Sequence, residues 1–338
     1  GKNDERVRKF DCNSTCAQVL EGVNLKGKTV AVTGTTNGIG AVTVRALALS
    51  GAHVVCLNRN QQASEQQIRE IKGEQSDAVL SFVKCNLDSL ASVRAAAEEV
   101  LSKFAKIDVL ILNAGIYQPA VPATSDGLES TFGVNHVGNF LLTTLLLPLI
   151  FSSSPSRIVV VSSHVHADSS VKPAKPLEEK LKLLMPDAGA TAPGLQLGLD
   201  LYGRSKLCNV LFAMKLHRDL SGKGVDVFVL HPGSNLATNI TANMGFVGKV
   251  FGVLAAPFRK TLDQGAATTV YCATSEELKG VRCLVHCRSI AQIKVSGRYW
   301  ECCWDDEKKL AKELARDERL QDELWRATEK MVEKIEKK

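Results

Sequence analysis

The stretch Val30-Ala31-Val32-Thr33-Gly34-Thr35-Thr36-Asn37-Gly38-Ile39-Gly40 constrains this chain most, because an apolar β-rich run passes straight into a glycine cluster and then into the helical pattern of residues 41–48. Glycines spaced G-x-x-x-G-x-G allow a tight turn and a close approach of backbone to a ligand. The unpaired N–H groups and positive dipole of the following helix attract phosphate. Alone this is a weak signal, since a plain structural turn after a strand reads the same.

The chain around it has 338 residues, 45% hydrophobic and 23% charged, which is the make-up of a soluble globular protein with a sizeable core. A net charge of +6 suits an anionic ligand, yet Lys and Arg are scattered among acids rather than gathered into a basic run, which excludes nucleic acid as the expected partner. Ten cysteines in a chain this long are not a disulfide framework. Cys56, Cys85, Cys208 and Cys272 lie in apolar contexts and read as small core residues, reduced in a cytoplasmic setting. Cys283-x-x-x-Cys287 with His286, followed by Cys302-Cys303, matches no recognised zinc spacing, so no metal is expected. No run of about twenty apolar residues appears, and Phe140 to Phe151, with two threonines and a proline, reads as a buried helix and not a transmembrane segment. Residues 1–9 carry no signal-peptide core and no initiator methionine, as expected of a fragment whose start lies upstream.

Residues 1–27 read as a charged arm with a short helix capped at Asn13 or Ser14 and carrying Ala17, Val19 and Leu20, an appendage to the main domain. Strand and helix patterns then alternate. Strands are predicted near 29–33, 53–57, 79–84, 109–112, 157–161 and 226–230, with helices near 38–50, 61–72, 89–105, 126–150, 202–220 and 265–274. A seventh strand falls between 281 and 300. Leu310, Leu314, Leu320, Leu324, Met331 and Ile335 mark an amphipathic terminal helix or helix pair. The expectation is an α/β protein: one Rossmann-type doubly wound parallel sheet over residues 28–338, with a short N-terminal arm.

The pattern that carries chemistry is Tyr202-Gly203-Arg204-Ser205-Lys206 at the start of a helix, where i and i+4 put phenol and ammonium on one face. A tyrosine is a poor base at neutral pH, but a cation beside it favours the phenolate. Ser162-Ser163, at the C-terminal end of the preceding strand, supplies hydroxyl donors for a substrate carbonyl, and strand ends are where open parallel sheets bind ligands. Each piece occurs often by chance. Their order after a glycine turn is much rarer.

Taken together, Thr33 to Gly40, Asn113-Ala114-Gly115, Asn135, Ser163, Tyr202, Lys206 and Pro232-Gly233 make residues 24–280 resemble the short-chain dehydrogenase/reductase family. That resemblance implies roles position by position. Gly34, Thr35, Thr36, Asn37, Gly38, Ile39 and Gly40 would cradle the dinucleotide phosphates. Tyr202 would give a proton to a carbonyl or take one from an alcohol; Lys206 would lower its pKa and grip the nicotinamide ribose. Ser163 would orient the substrate oxygen, and Asn135 would hold a water linking Lys206 to solvent. Asn113, Ala114 and Gly115 would line the adenosine side, Asn86 and Leu87 the adenine, and Pro232, Gly233 and Thr238 the nicotinamide. Asn86 stands where the family usually has an aspartate, so an amide oxygen must do a carboxylate's work.

A finer resemblance, in Arg8-Lys9-Phe10-Asp11, Asn58-Arg59-Asn60, Asp126 to Phe132, Arg204 to Asn209 and Gln264 to Cys272, is to the WW domain-containing oxidoreductases, with retinol dehydrogenases as next neighbours. The sequence as given holds no paired-tryptophan module, so proline-motif partners are not carried over. Residues 281–296 read as an insertion without counterpart in the family.

Two functions compete. One is an oxidoreductase acting on a lipophilic alcohol or carbonyl, retinoid- or steroid-like, as a homodimer. The other is a cofactor-sensing interaction protein with little turnover. The Ser163, Tyr202, Lys206 and Asn135 set favours the first, because a pure binding module has no need of a phenol beside an ammonium. NADP(H) is expected over NAD(H): the second strand ends without an acid, and Arg59, 25 residues after Gly34, is placed to pair with a 2′-phosphate. The long stretch Lys172 to Gly194 is expected to be a mobile substrate-covering loop.

Overall fold

The computed structural model describes residues 9–117, 120–189, 195–233, 261–278 and 297–337. After α1 (Cys16–Val19), the strands β1 (Thr29–Thr33), β2 (His53–Asn58) and β3 (Val79–Lys84) alternate with α2 (Gly38–Leu49), α3 (Gln61–Glu74) and α4 (Leu90–Lys103). Next come β4 (Val109–Leu112), α5 (Ser130–Phe132), a π-helical stretch over Gly133–Gly138, α6 (Asn139–Ser152), β5 (Ser156–Val161), α7 (Leu177–Leu184), α8 (Leu195–Leu220) and β6 (Val225–Leu230). The chain closes with α9 (Leu262–Thr274), β7 (Tyr299–Glu301), β8 (Trp304–Asp305), α10 (Lys312–Ala315) and α11 (Glu318–Glu336).

The sheet runs β3-β2-β1-β4-β5-β6-β7-β8, parallel from β3 through β7, so the order reverses between β1 and β4. Strand residues alternate between two cores. Val55, Leu57, Leu110, Leu112, Ile158, Val160, Val227 and Val229 face the helices α4, α6, α8 and α11. Val54, Cys56, Val109, Ile111, Val159, Val161, Phe228 and Leu230 face α1, α2, α3 and α9. Burial on both faces explains why these strands read as continuous apolar runs rather than alternating ones.

Three expectations change. The arm is no appendage: Cys16, Val19, Leu20 and Leu25 are buried in the second core, the cap of α1 is Thr15 in a capping box with Gln18, and Cys12 is disulfide-bonded to Cys302 across 290 residues. Reduced thiols therefore do not extend to Cys12 and Cys302, whereas Cys56, Cys85, Cys208 and Cys272, like Cys16 and Cys303, are free and buried. Docking of the arm creates the pair, so spacing along the chain could not signal it. Lys172 to Gly194 is no structureless lid over its described part, because α7 docks there with Leu184 fully buried and Lys180 paired to Asp317. The sheet also gains β8, a two-residue antiparallel partner of β7.

The helical span Ser130–Ser152 is long and apolar enough to cross a membrane, but 72% of that window is buried inside the fold. It is the core helix the sequence suggests. His136 sits within it among Phe132, Phe140 and Phe212, and burial pushes its imidazole down to about 3. Thr328 donates its hydroxyl to Leu324 O, so it accepts from His136 Nε2 at 3.2 Å and fixes the neutral tautomer. An unfolded chain takes up that proton near pH 6.5, whereas the folded one resists it until about 3. Stability is therefore complete above 6.5 and falls as pH drops toward 3, by about 2 kcal/mol at pH 5. Urea midpoints at pH 7.5 and pH 5 should separate more for the wild type than for His136→Gln; equal acid sensitivity contradicts the assignment.

Candidate active site

Four strand ends build the site: the glycine turn after β1, Asn113 after β4, Ser163 after β5 and Pro232 after β6. They lie side by side at the carboxyl edge, where the strand order reverses.

The glycine turn is shaped for close approach. Gly34 and Gly38 have φ of +69° and +57°, and a Cβ on Gly40 would stand 2.1 Å from Gly34 O and 2.5 Å from Asn113 Nδ2. Asn37 caps α2 without using its side chain, which leaves the first N–H groups of that 12-residue helix open. Thr36, Asn37, Gly38 and Ile39 keep exposed surface. Thr35 instead turns inward. Its N–H donates to Asn58 Oδ1 at 2.7 Å, its carbonyl accepts from Gln67 Nε2 at 2.6 Å, and its hydroxyl is shared with both. Thr35 thus anchors the turn. Neither Asn58 nor Gln67 stands out as a site residue in the sequence, because buried clamps of this kind have no motif.

Asn113 donates from Nδ2 to Thr33 O and Gly34 O at 3.1 and 2.9 Å, while Thr33 Oγ1 accepts from the N–H groups of Asn113 and Ala114. It staples β4 to the glycine turn. Gly115 is exposed, and a Cβ there would come within 3.0 Å of Lys206 Nζ, so its lack of a side chain keeps the front of that ammonium open.

Tyr202 and Lys206 lie on α8, but in its interior, since the helix begins at Leu195 rather than near Tyr202. Lys206 is 2% exposed, and its Nζ donates to Val161 O at 3.1 Å, its one protein acceptor among the described residues. The ammonium lies over the face of the Tyr202 ring, 5.4 Å from the centroid. Burial, rather than a partner, dominates both groups: it lowers the Lys206 ammonium to about 8 and pushes the Tyr202 phenol up, against the downward pull of the Ser163 hydroxyl. The expectation that Lys206 depresses the phenol is therefore corrected for this geometry. The Lys206 charge sits over the ring face, and it is burial that raises the phenol.

Asn135 is fully buried beside this pair. Its Oδ1 accepts from Ile116 N at 2.7 Å, and its Nδ2 donates to Ile116 O and Ser205 Oγ, each at 3.0 Å. The side chain is thus committed to positioning the loop after β4 against the catalytic helix. The π-helical stretch brings this about, with Asn139 Nδ2 donating to the Asn135 carbonyl at 3.2 Å. Ser163 is buried, and its carbonyl takes a 2.7 Å hydrogen bond from His166 Nδ1. Because Ala311 N donates to His166 Nε2 at 3.2 Å, the proton must reside on Nδ1. His166 therefore ties the Ser163 turn to the C-terminal segment, a long-range role that no local pattern advertises.

Arg59 is exposed after β2 and has no ion-pair partner among the described residues. Asn86 is half-buried, and its Oδ1 accepts from Asp88 N at 3.3 Å; Leu87 is buried below it. Pro232 and Gly233 follow β6 beside His231, which exchanges a 3.1 Å hydrogen bond with His164. Thr238, the insertion at 281–296 and the Cys283, His286 and Cys287 grouping lie outside the described residues.

A glycine cradle at an open helix N-terminus, a gap over Lys206 Nζ at Gly115, and an exposed guanidinium beyond β2 fit a phosphate-bearing dinucleotide laid across the switch point. Known proteins of similar sequence and structure agree with this geometry. A WW domain-containing oxidoreductase of Gallus gallus is 37% identical over 96% of this chain and 73% of its own length. Retinol dehydrogenase 14 of Homo sapiens is 36% identical over 91% of this chain and 87% of its own. An uncharacterized protein from Mycobacterium Paratuberculosis superposes with a TM-score of 0.64 at 26% identity, covering 95% of this chain and 98% of its own. The L-sorbose reductase of Gluconobacter frateurii, solved with NADPH and L-sorbose, has a TM-score of 0.57 at 18% identity over 74% and 91% of the two chains, a likeness of fold. The family described as short chain dehydrogenase matches residues 28–172, from β1 through the Ser163 turn, and the extended identity carries the match on through Tyr202 and Lys206: the chain belongs to the short-chain dehydrogenase/reductase family.

Proposed function

We propose that this protein is an NADP(H)-preferring oxidoreductase that interconverts a lipophilic carbonyl and its alcohol, of retinoid or steroid type. The single observation behind it is the buried Lys206 ammonium over the half-buried Tyr202 ring, with Ser163 at the carboxyl edge of the sheet, because a fold that only binds would gain nothing from an ammonium desolvated against a phenol. The names of the relatives, retinol dehydrogenases among them, support the substrate class.

When bound, the nicotinamide supplies or accepts the hydride. This chain's residues handle the proton and the geometry. Ser163 holds the substrate oxygen by a hydrogen bond, fixed by the grip of His166 on its carbonyl. Tyr202, kept protonated by burial, gives its proton to that oxygen as negative charge develops, and Lys206 stabilises the phenolate left behind. Oxidation of the alcohol runs the same path in reverse.

Assaying carbonyl-dependent NADPH oxidation with retinal, steroid ketones and small aldehydes tests the reading. Dinucleotide binding without turnover of any of them would favour the cofactor-sensing interaction protein.

Cofactor choice rests on Arg59. A guanidinium pairs with a 2′-phosphate through charge-assisted hydrogen bonds that a 2′-hydroxyl cannot match. β2 ends in Asn58, whose amide is spent on the glycine turn, so no carboxylate there holds a ribose hydroxyl. NADPH should bind at least about tenfold more tightly than NADH, and Arg59→Ala should erase most of that difference, a loss of about 1.4 kcal/mol. Equal binding of the two dinucleotides by the unmutated protein contradicts it.

A further inference from the structure

Tyr117 stands four residues after Asn113, on the loop that leaves β4. Its ring meets the Tyr202 ring edge-on, with centroids 5.5 Å apart, so it adjoins the reacting group directly. The residue is 6% exposed, and its hydroxyl is buried with no hydrogen-bond partner among the described residues. Its position is not loose. The preceding residue, Ile116, has both its N–H and its carbonyl held by the Asn135 side chain, and Asn135 is in turn bonded to Ser205 on the catalytic helix.

A phenylalanine would make the same edge contact without burying a donor, so the hydroxyl costs the ligand-free fold and returns nothing to it. Groups of this kind are expected where a ligand completes the hydrogen bond. We propose that Tyr117 is a second hydrogen-bond donor of the substrate site, reading a neutral oxygen that the substrate carries in addition to the carbonyl oxygen that reacts. Burial pushes the Tyr117 phenol above its ordinary value, which keeps it a donor throughout the neutral range. A single neutral donor in apolar surroundings suits a hydroxyl or carbonyl oxygen, whereas a carboxylate would lose more hydration than one such bond restores. The substrate class narrows to lipophilic carbonyl compounds with a second oxygen close to the first, such as hydroxy-ketones and diones. The inference rests on the oxidoreductase reading and deepens it.

The experiment compares kcat/KM for 2,3-hexanedione and for 3-hexanone, with NADPH, in wild type and Tyr117→Phe. The dione-to-ketone ratio should fall about tenfold in the variant, and the ligand-free variant should melt about 2 °C higher. An unchanged ratio, including one in which both rates fall together, makes Tyr117 a packing partner of Tyr202 and overturns the proposal. If the wild type reduces neither compound, the oxidoreductase reading fails on that count, and calorimetry of the dione with NADPH-saturated protein decides this one separately. Binding weakened about tenfold by Tyr117→Phe sustains it; equal binding by both proteins, or none by the wild type, refutes it.

Discussion

Replacing Lys206 by methionine should stabilise the free protein at pH 7 by about 2 kcal/mol while removing its turnover. The gain comes from burial. An unfolded chain holds the lysine proton up to about 10.5, but the folded one releases it at about 8, because the ammonium is buried over the Tyr202 ring with Val161 O as its one protein acceptor among the described residues. That shift is worth about 3 kcal/mol, and the orphaned Val161 carbonyl in the variant returns about 1 of it. Between pH 8 and 10.5 the unfolded state binds the extra proton, so wild-type stability rises through that window and the advantage of Lys206→Met shrinks. Denaturant midpoints of the two proteins at pH 7 and pH 10 measure it. A variant less stable than wild type at pH 7 would show that Lys206 is a structural cation.

Tyr202→Phe should lower turnover by a factor of about 100 to 10,000, the range attached to a positioned general acid, with dinucleotide affinity close to that of wild type. The substitution removes one oxygen and preserves the ring that packs on Tyr117 and under Lys206, so the site keeps its shape. Turnover within a few-fold of wild type would mean that another group or water delivers the proton.

Much of this was legible in the chain. Continuous apolar runs such as Val109 to Leu112 announced strands buried on both faces, and the glycine turn with Tyr202, Lys206 and Ser163 announced the site. What stayed hidden depends on contacts between distant residues. Asn58 and Gln67 clamp Thr35 only because β2 and α3 fold back beside the glycine turn. His166 meets Ala311 across 145 residues, and Cys12 meets Cys302 only once the arm docks. The i and i+4 spacing placed Tyr202 and Lys206 on one face correctly, but spacing carries no information about depth. Depth is what sets their proton affinities and reverses the expected direction for Tyr202.

The fate of the hydride tests the central claim most directly. NADPH carrying deuterium at the transferable position of the nicotinamide is incubated with retinal or a steroid ketone, and the alcohol is read by mass spectrometry. The wild type should yield alcohol bearing one deuterium on the former carbonyl carbon, with Tyr202→Phe forming it at least about 100-fold more slowly. Tight NADPH binding with no deuterated alcohol from any carbonyl offered, or equal yields from the two proteins, would contradict the account.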